Sequence, residues 1–163
     1  MSKILLGFMG AGKTTVSGFL DSNYYEMDDI IENRIGMSIT EFFAKEGEEA
    51  FRDIESQVLR ELMSKKEDII ISTGGGVVTR EENRNLLREN KRNNILLSAS
   101  FDVLYKRIQE DKVFQRPLYL NNSIENFRAI FEKRMTLYED LADLVIGVDH
   151  RTPQEIARII LNS

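Results

Sequence analysis

Residues 7–15 read GFMGAGKTT, and Gly7 to Thr14 fits the spacing G-x-x-x-x-G-K-[ST]. Loops of this composition hold the phosphates of a nucleotide. Gly7, Gly10 and Gly12 let the backbone turn tightly, so that several N–H groups converge on phosphate oxygens. A helix beginning near Lys13 adds the positive end of its dipole. Lys13 has the reach for the β- and γ-phosphates, and the Thr14 hydroxyl is a candidate Mg²⁺ ligand. Gly10, Ala11, Gly12, Lys13, Thr14 and Thr15 are therefore the candidate nucleotide contacts. The loop says nothing about what receives the terminal phosphate.

Candidates for the acceptor side lie further along. Asp28 and Asp29 follow the run YYEM. A carboxylate at the end of a buried strand sits where open α/β sheets bind ligands and can orient or deprotonate a hydroxyl. Both acids also suit the first turn of a helix. Asp28 is the inward candidate, because Asp29 starts a solvent-facing pattern. Arg134 falls on an apolar stripe formed by Phe127, Ile130, Phe131, Tyr138 and Leu141. A buried arginine wants an anion, although a long stem can also snorkel to water. Arg52 borders the face of Phe51 and Ile54, with a surface pair to Glu48 or Glu55 as its plainer reading. Two arginines at one cleft grip a carboxylate well. Arg116, in VFQRPLY, is either a solvated loop charge or an arginine closing over phosphates in cis. Gly74, Gly75 and Gly76 end a strand-like run and allow close approach of a ligand to the backbone.

These residues need a scaffold, and the chain supplies the pattern of one. Short apolar runs at 3–8, 24–27, 69–72, 94–98 and 144–148 predict buried strands of a parallel sheet. Amphipathic segments alternate with them, and SITE (38–41), TREE (79–82) and TPQE (152–155) read as capping boxes. Strand–helix alternation predicts an α/β fold, a five-stranded parallel sheet flanked by helices with right-handed crossovers. The polar stretch 109–122 is expected to be a mobile lid. With 163 residues and no linker-like tract, the expectation is one domain over 1–163.

Composition narrows the function classes. A formal net charge of −5 argues against a nucleic-acid partner. The absence of cysteine removes disulfides and thiolate metal sites, and no apolar run reads as a signal peptide or membrane span. The expectation is a cytoplasmic, soluble protein, with nothing demanding more than a monomer.

Taken in order, GFMGAGKTT, EMDDIIENRIGMSITEFF, GEEAFRDIE, STGGGVVT, RPLY, EKRMTLY and VDHRTPQEI resemble the shikimate kinases, a family of P-loop small-molecule kinases. The resemblance spans essentially the whole chain. It implies a P-loop kinase fold and transfer of the γ-phosphoryl group of ATP, with Mg²⁺, to the 3-hydroxyl of shikimate. It further implies that Lys13, Asp28 and Arg116 are catalytic, with Asp28 the base. Arg52, Arg134 and the backbone of Gly74–Gly76 would bind shikimate, within a helical region at about 29–64. Arg107 would stack on adenine, and the loop 148–153, with Arg151 and Pro153, would enclose it from the other side.

Two departures stand out. The family's Asp-x-Asp is Glu26-Met27-Asp28 here; the first aspartate's water-mediated Mg²⁺ contact is the candidate role for Glu26, which the departure leaves open. The stretch between Thr15 and Tyr24 is short, predicting a trimmed first helix. His150, the single histidine, has no partner pattern and reads as incidental. A gluconate-type or nucleoside monophosphate kinase is the nearest rival on the same scaffold. A nucleotide-binding switch is the rival from another class.

Overall fold

A computed structural model describes residues 2–20, 23–111 and 117–163. Five strands, β1 (Lys3–Leu6), β2 (Tyr24–Glu26), β3 (Ile70–Ser72), β4 (Asn94–Ser98) and β5 (Leu144–Gly147), form one parallel sheet in the order β2-β3-β1-β4-β5. Each predicted strand is present, four of them a residue or two shorter than the apolar run. Met27 shows why: it starts a helix while staying buried, so hydrophobicity outlasts the strand. β1 is central, with Leu5 level with Ser72 on β3 and Ile95 on β4. Ile4, Leu5 and Leu6 are wholly buried, as strands covered on both faces must be.

The connections are α1 (Lys13–Ser17), α2 (Met27–Ile35), α3 (Ile39–Glu46), α4 (Glu48–Met63), α5 (Glu81–Glu89), α6 (Phe101–Glu110), α7 (Pro117–Leu120), α8 (Ile124–Leu141) and α9 (Pro153–Leu161). The first helix is five residues long, as the short connection requires. Among the described residues no helix is long and apolar enough to cross a membrane.

Two of the three expected caps form. Ser38 accepts the Glu41 N–H at 3.1 Å, and Thr152 makes a full reciprocal box with Glu155, with Pro153 in the first turn. The third does not. Thr79 turns its hydroxyl back to the Gly76 carbonyl at 2.8 Å, closing a 3₁₀ turn over Val77–Thr79, and α5 starts one residue later with Arg80 at its N-cap. Replacing Thr152 by Ala should cost about 1 kcal/mol of stability, measured by denaturant unfolding of the whole chain.

The stretch 109–122 also differs in part from its expected irregular form. Within it Pro117–Leu120 is a helical turn. It is seated by Tyr119, whose ring lies 5.6 Å from Tyr105 and 5.9 Å from Phe127. Residues 112–116, Arg116 among them, lie outside the described residues.

Candidate active site

The loop after β1 turns twice through left-handed backbone, at Gly10 (φ 82°) and Gly12 (φ 95°), where a side chain would be strained. Its start is fixed by Phe8, which packs edge-on against Phe127 and Phe131 of α8. The Ala11 N–H bonds the Phe8 carbonyl at 3.1 Å, closing the turn. Lys13 arches back over the loop and donates to the carbonyls of Gly7 and, at 3.3 Å, Phe8. Thr14 and Thr15 follow at the exposed opening of α1. Arg107, from α6, reaches across and donates to the Gly10 carbonyl at 3.0 Å.

Beyond the loop, the Gly74–Gly76 turn after β3 is a platform on which four charged side chains converge. A Cβ on Gly74 would stand 3.0 Å from Asp28 Oδ1 and 3.3 Å from Glu55 Oε2. On Gly75 it would stand 3.4 Å from the Met9 amide and 3.8 Å from Arg134 Nη1. On Gly76 it would fall inside the Arg52 guanidinium, 2.6 Å from Cζ. Space is tight at Gly74 and Gly76 and ordinary at Gly75, and Asp28, Glu55, Arg134 and Arg52 meet beside the phosphate loop.

Both arginines are buried, Arg52 to 7% and Arg134 to 8% exposure. The surface reading of Arg52 is overturned: it does pair with Glu55 at 2.8 Å and Glu48 at 3.5 Å, but only Glu48 is exposed. Its guanidinium also lies over the rings of Phe51 (5.1 Å) and Phe43 (5.9 Å). Arg134 does not snorkel outward; it stays under Phe8, 5.8 Å from the ring centroid. Burial lowers the Arg134 pKa, with the neighbouring positive Arg52 acting in the same direction. Two cations held this close and desolvated form a site for an anion.

The acids respond in the opposite sense. Burial raises the Asp28 carboxyl, helped by Glu32 and Asp29 and opposed by Lys13 and Arg52. Asp29 is exposed, so the inward choice of Asp28 holds. Burial likewise raises Glu55, against the pull of Arg52. Sequence reasoning missed Glu55 as a site residue. Its signal was position: it falls among Phe51, Val58, Leu59 and Leu62 on the buried face of α4, where an acid must have a partner.

Glu26, at the end of β2, accepts the Tyr24 hydroxyl at 2.5 Å. Its carboxyl is raised chiefly by burial, with that hydrogen bond and Lys13 acting against the rise. No group of three or more acids or histidines that could hold a metal alone occurs among the described residues.

At the carboxyl ends of β4 and β5 a cavity of about 620 Å³ opens between Ser98, Ser100, Asp149 and Arg151. Arg151 donates to the Gly147 carbonyl at 2.8 Å, and Pro153 starts α9 just behind. His150, expected to be incidental, is part of this wall.

The sequence profile of the family described as shikimate kinase matches residues 9–163, nearly the entire chain. The chain belongs to the shikimate kinase family. The shikimate kinase of Streptococcus thermophilus is 58% identical over 160 residues, covering 98% of each chain. That of Streptococcus suis is 50% identical over 161 residues, covering 99% of each. Among solved structures, the shikimate kinase of Acinetobacter baumannii in complex with shikimate superposes with a TM-score of 0.82 at 31% identity, over 99% of this chain and 90% of that one. The chain is accordingly an ATP-dependent kinase with the P-loop kinase fold.

Proposed function

We propose that the chain transfers the γ-phosphoryl group of ATP to the 3-hydroxyl of shikimate, giving shikimate 3-phosphate and ADP. The observation carrying this reading is the convergence of two buried arginines and one inward aspartate on the Gly74–Gly76 turn, beside a phosphate loop. That arrangement suits an acceptor bearing both a carboxylate and a hydroxyl. Arg52 and Arg134 would clamp the carboxylate, while the Gly74–Gly76 backbone would contribute to the substrate pocket. Asp28 would hold the 3-hydroxyl and take its proton as the oxygen attacks phosphorus. The α2–α4 region (29–64) would form the acceptor pocket, and 109–122 the lid, within one domain over 1–163.

On the nucleotide side, the amides of Gly10–Thr15 would bind the phosphates, while Lys13 would swing from the loop carbonyls to the transferring group. Arg107 and the loop bearing Arg151 and Pro153 would flank adenine. Arg116 would neutralise charge on the phosphoryl group in flight. Lid closure would keep water from competing with the acceptor. The oxygen donors present, the Thr14 hydroxyl and the Glu26 carboxylate acting through water, fit Mg²⁺ held largely by nucleotide phosphates. Bound there, Mg²⁺ would supply charge neutralisation between the phosphate oxygens. A cytoplasmic monomer needing no other macromolecule completes the reading.

ADP release from MgATP, measured with shikimate, gluconate and a nucleoside monophosphate in separate reactions, tests the acceptor. Release with shikimate alone is expected. Release with either of the others instead would overturn the carboxylate clamp. Arg134→Ala gives the residue-level check: shikimate KM should rise about 10- to 100-fold, since a charged hydrogen bond contributes roughly 1.5–3 kcal/mol. An unchanged KM in a folded variant would remove Arg134 from the clamp.

A further inference from the structure

The platform that gathers the acceptor residues is itself held at three carbonyls, and the middle one is held differently. The Gly74 carbonyl accepts the Val77 N–H at 3.1 Å, and the Gly76 carbonyl accepts the Thr79 N–H at 3.0 Å and the Thr79 hydroxyl at 2.8 Å. Both of these bonds stay inside the turn and its 3₁₀ continuation. The Gly75 carbonyl is instead taken by the hydroxyl of Tyr138, from α8. Tyr138 is wholly buried and lies one helical turn beyond Arg134 on the same face. The helix that presents Arg134 therefore also grips the turn against which Arg134 rests.

The consequence follows from peptide geometry. The Gly75 carbonyl and the Gly76 N–H belong to one planar trans peptide, so they point in opposite directions. Holding the carbonyl towards α8 turns the N–H to the opposite face of the turn. Among the described residues no acceptor for that N–H is found. Flanked by glycines, this peptide plane has little of its own to stop it rotating, because glycine tolerates the dihedrals that such a rotation needs. A hydroxyl that keeps its proton is a suitable restraint, and burial pushes the Tyr138 phenol well above its ordinary value.

We propose that Tyr138 is a positioning residue of the acceptor site: its hydroxyl holds the Gly75 carbonyl and so aims the Gly76 N–H at the bound acid. This inference rests on the reading of the platform as the shikimate site. It differs from a buried tyrosine that merely satisfies its hydroxyl, which would affect stability alone.

Tyr138→Phe keeps the ring and removes the donor. Shikimate KM should rise about 5- to 10-fold, the scale of one lost hydrogen bond, with kcat changed less than about twofold. ADP affinity, measured by calorimetry, should stay as in the unaltered protein. A folded variant with unchanged shikimate KM would overturn the assignment, as would equal losses in shikimate and ADP binding. Should the variant fold poorly, the unaltered protein offers a second reading by NMR. The Tyr138 hydroxyl proton should exchange more slowly with saturating shikimate, and unchanged exchange would overturn the assignment. If the unaltered protein is inert towards shikimate, the acceptor reading falls and this inference with it. If it is active while both tests fail, only the role of Tyr138 is lost.

Discussion

Replacing Lys13 by Ala should lower turnover by about 10²–10³-fold while leaving the fold intact, the scale seen when one preorganised charge or donor is removed from a developing anion. Lys13 donates to the Gly7 and Phe8 carbonyls and lies outside the hydrophobic core, so its loss removes polar contacts within the loop. It does delete the positive charge that opposes the rise of both Asp28 and Glu26. Both carboxyls should therefore move further up in the variant. Steady-state kcat, with far-UV circular dichroism as the folding control, is the measurement. A variant within tenfold of the parent would take Lys13 out of the transfer step.

Asp28→Asn should be nearly as damaging to turnover, by about 10²–10⁴-fold, the range for a positioned general base. The environment adds a pH signature. Asp28 must be ionised to accept a proton, and burial holds its carboxyl above the ordinary 3.8. The acid limb of kcat/KM should accordingly sit above that value and vanish from the residual activity of the variant. Stability runs the other way. A carboxyl whose folded pKa is raised favours folding fully below its unfolded pKa, and that contribution is lost as pH rises through the folded value. Asn mimics the neutral form, so the variant should melt higher than the parent near neutral pH and converge with it at acid pH. Thermal melts across that range check the sign, and a variant that melts lower at neutral pH would contradict the burial argument.

Much of this site is legible in the order of amino acids, for reasons that differ residue by residue. The phosphate loop is local: glycines, lysine and threonine at fixed spacing carry their geometry with them. Arg134 stands out as a charge out of place on an apolar stripe, because helical periodicity fixes which face is buried. The same periodicity does not say which buried polar groups meet. Glu55 is legible as an acid on the buried face of α4, but the burial of Arg52 beside it is not, since that depends on α4 lying against the Gly74–Gly76 turn from another part of the chain. Tyr138 reads as one more aromatic on the stripe, and its hydroxyl acquires a partner only when β3 and α8 are brought together. Thr79 fails as a cap because it is the last residue of the 3₁₀ turn, its N–H and hydroxyl both directed back to the Gly76 carbonyl, so the helix starts only after Arg80. The turn at 117–120 is hidden by its polar neighbours, the stabilising contact being the tertiary packing of Tyr119.

The Arg52 guanidinium fills the volume that any side chain at Gly76 would need. That group is the far end of a flexible side chain, and Gly76 itself has ordinary backbone dihedrals, so a methyl there would shift the guanidinium and leave the turn standing. An inhibitor that leans on the Arg52 guanidinium would lose the same contact as the acceptor. Resistance arising at Gly76 would therefore carry its own cost in acceptor binding.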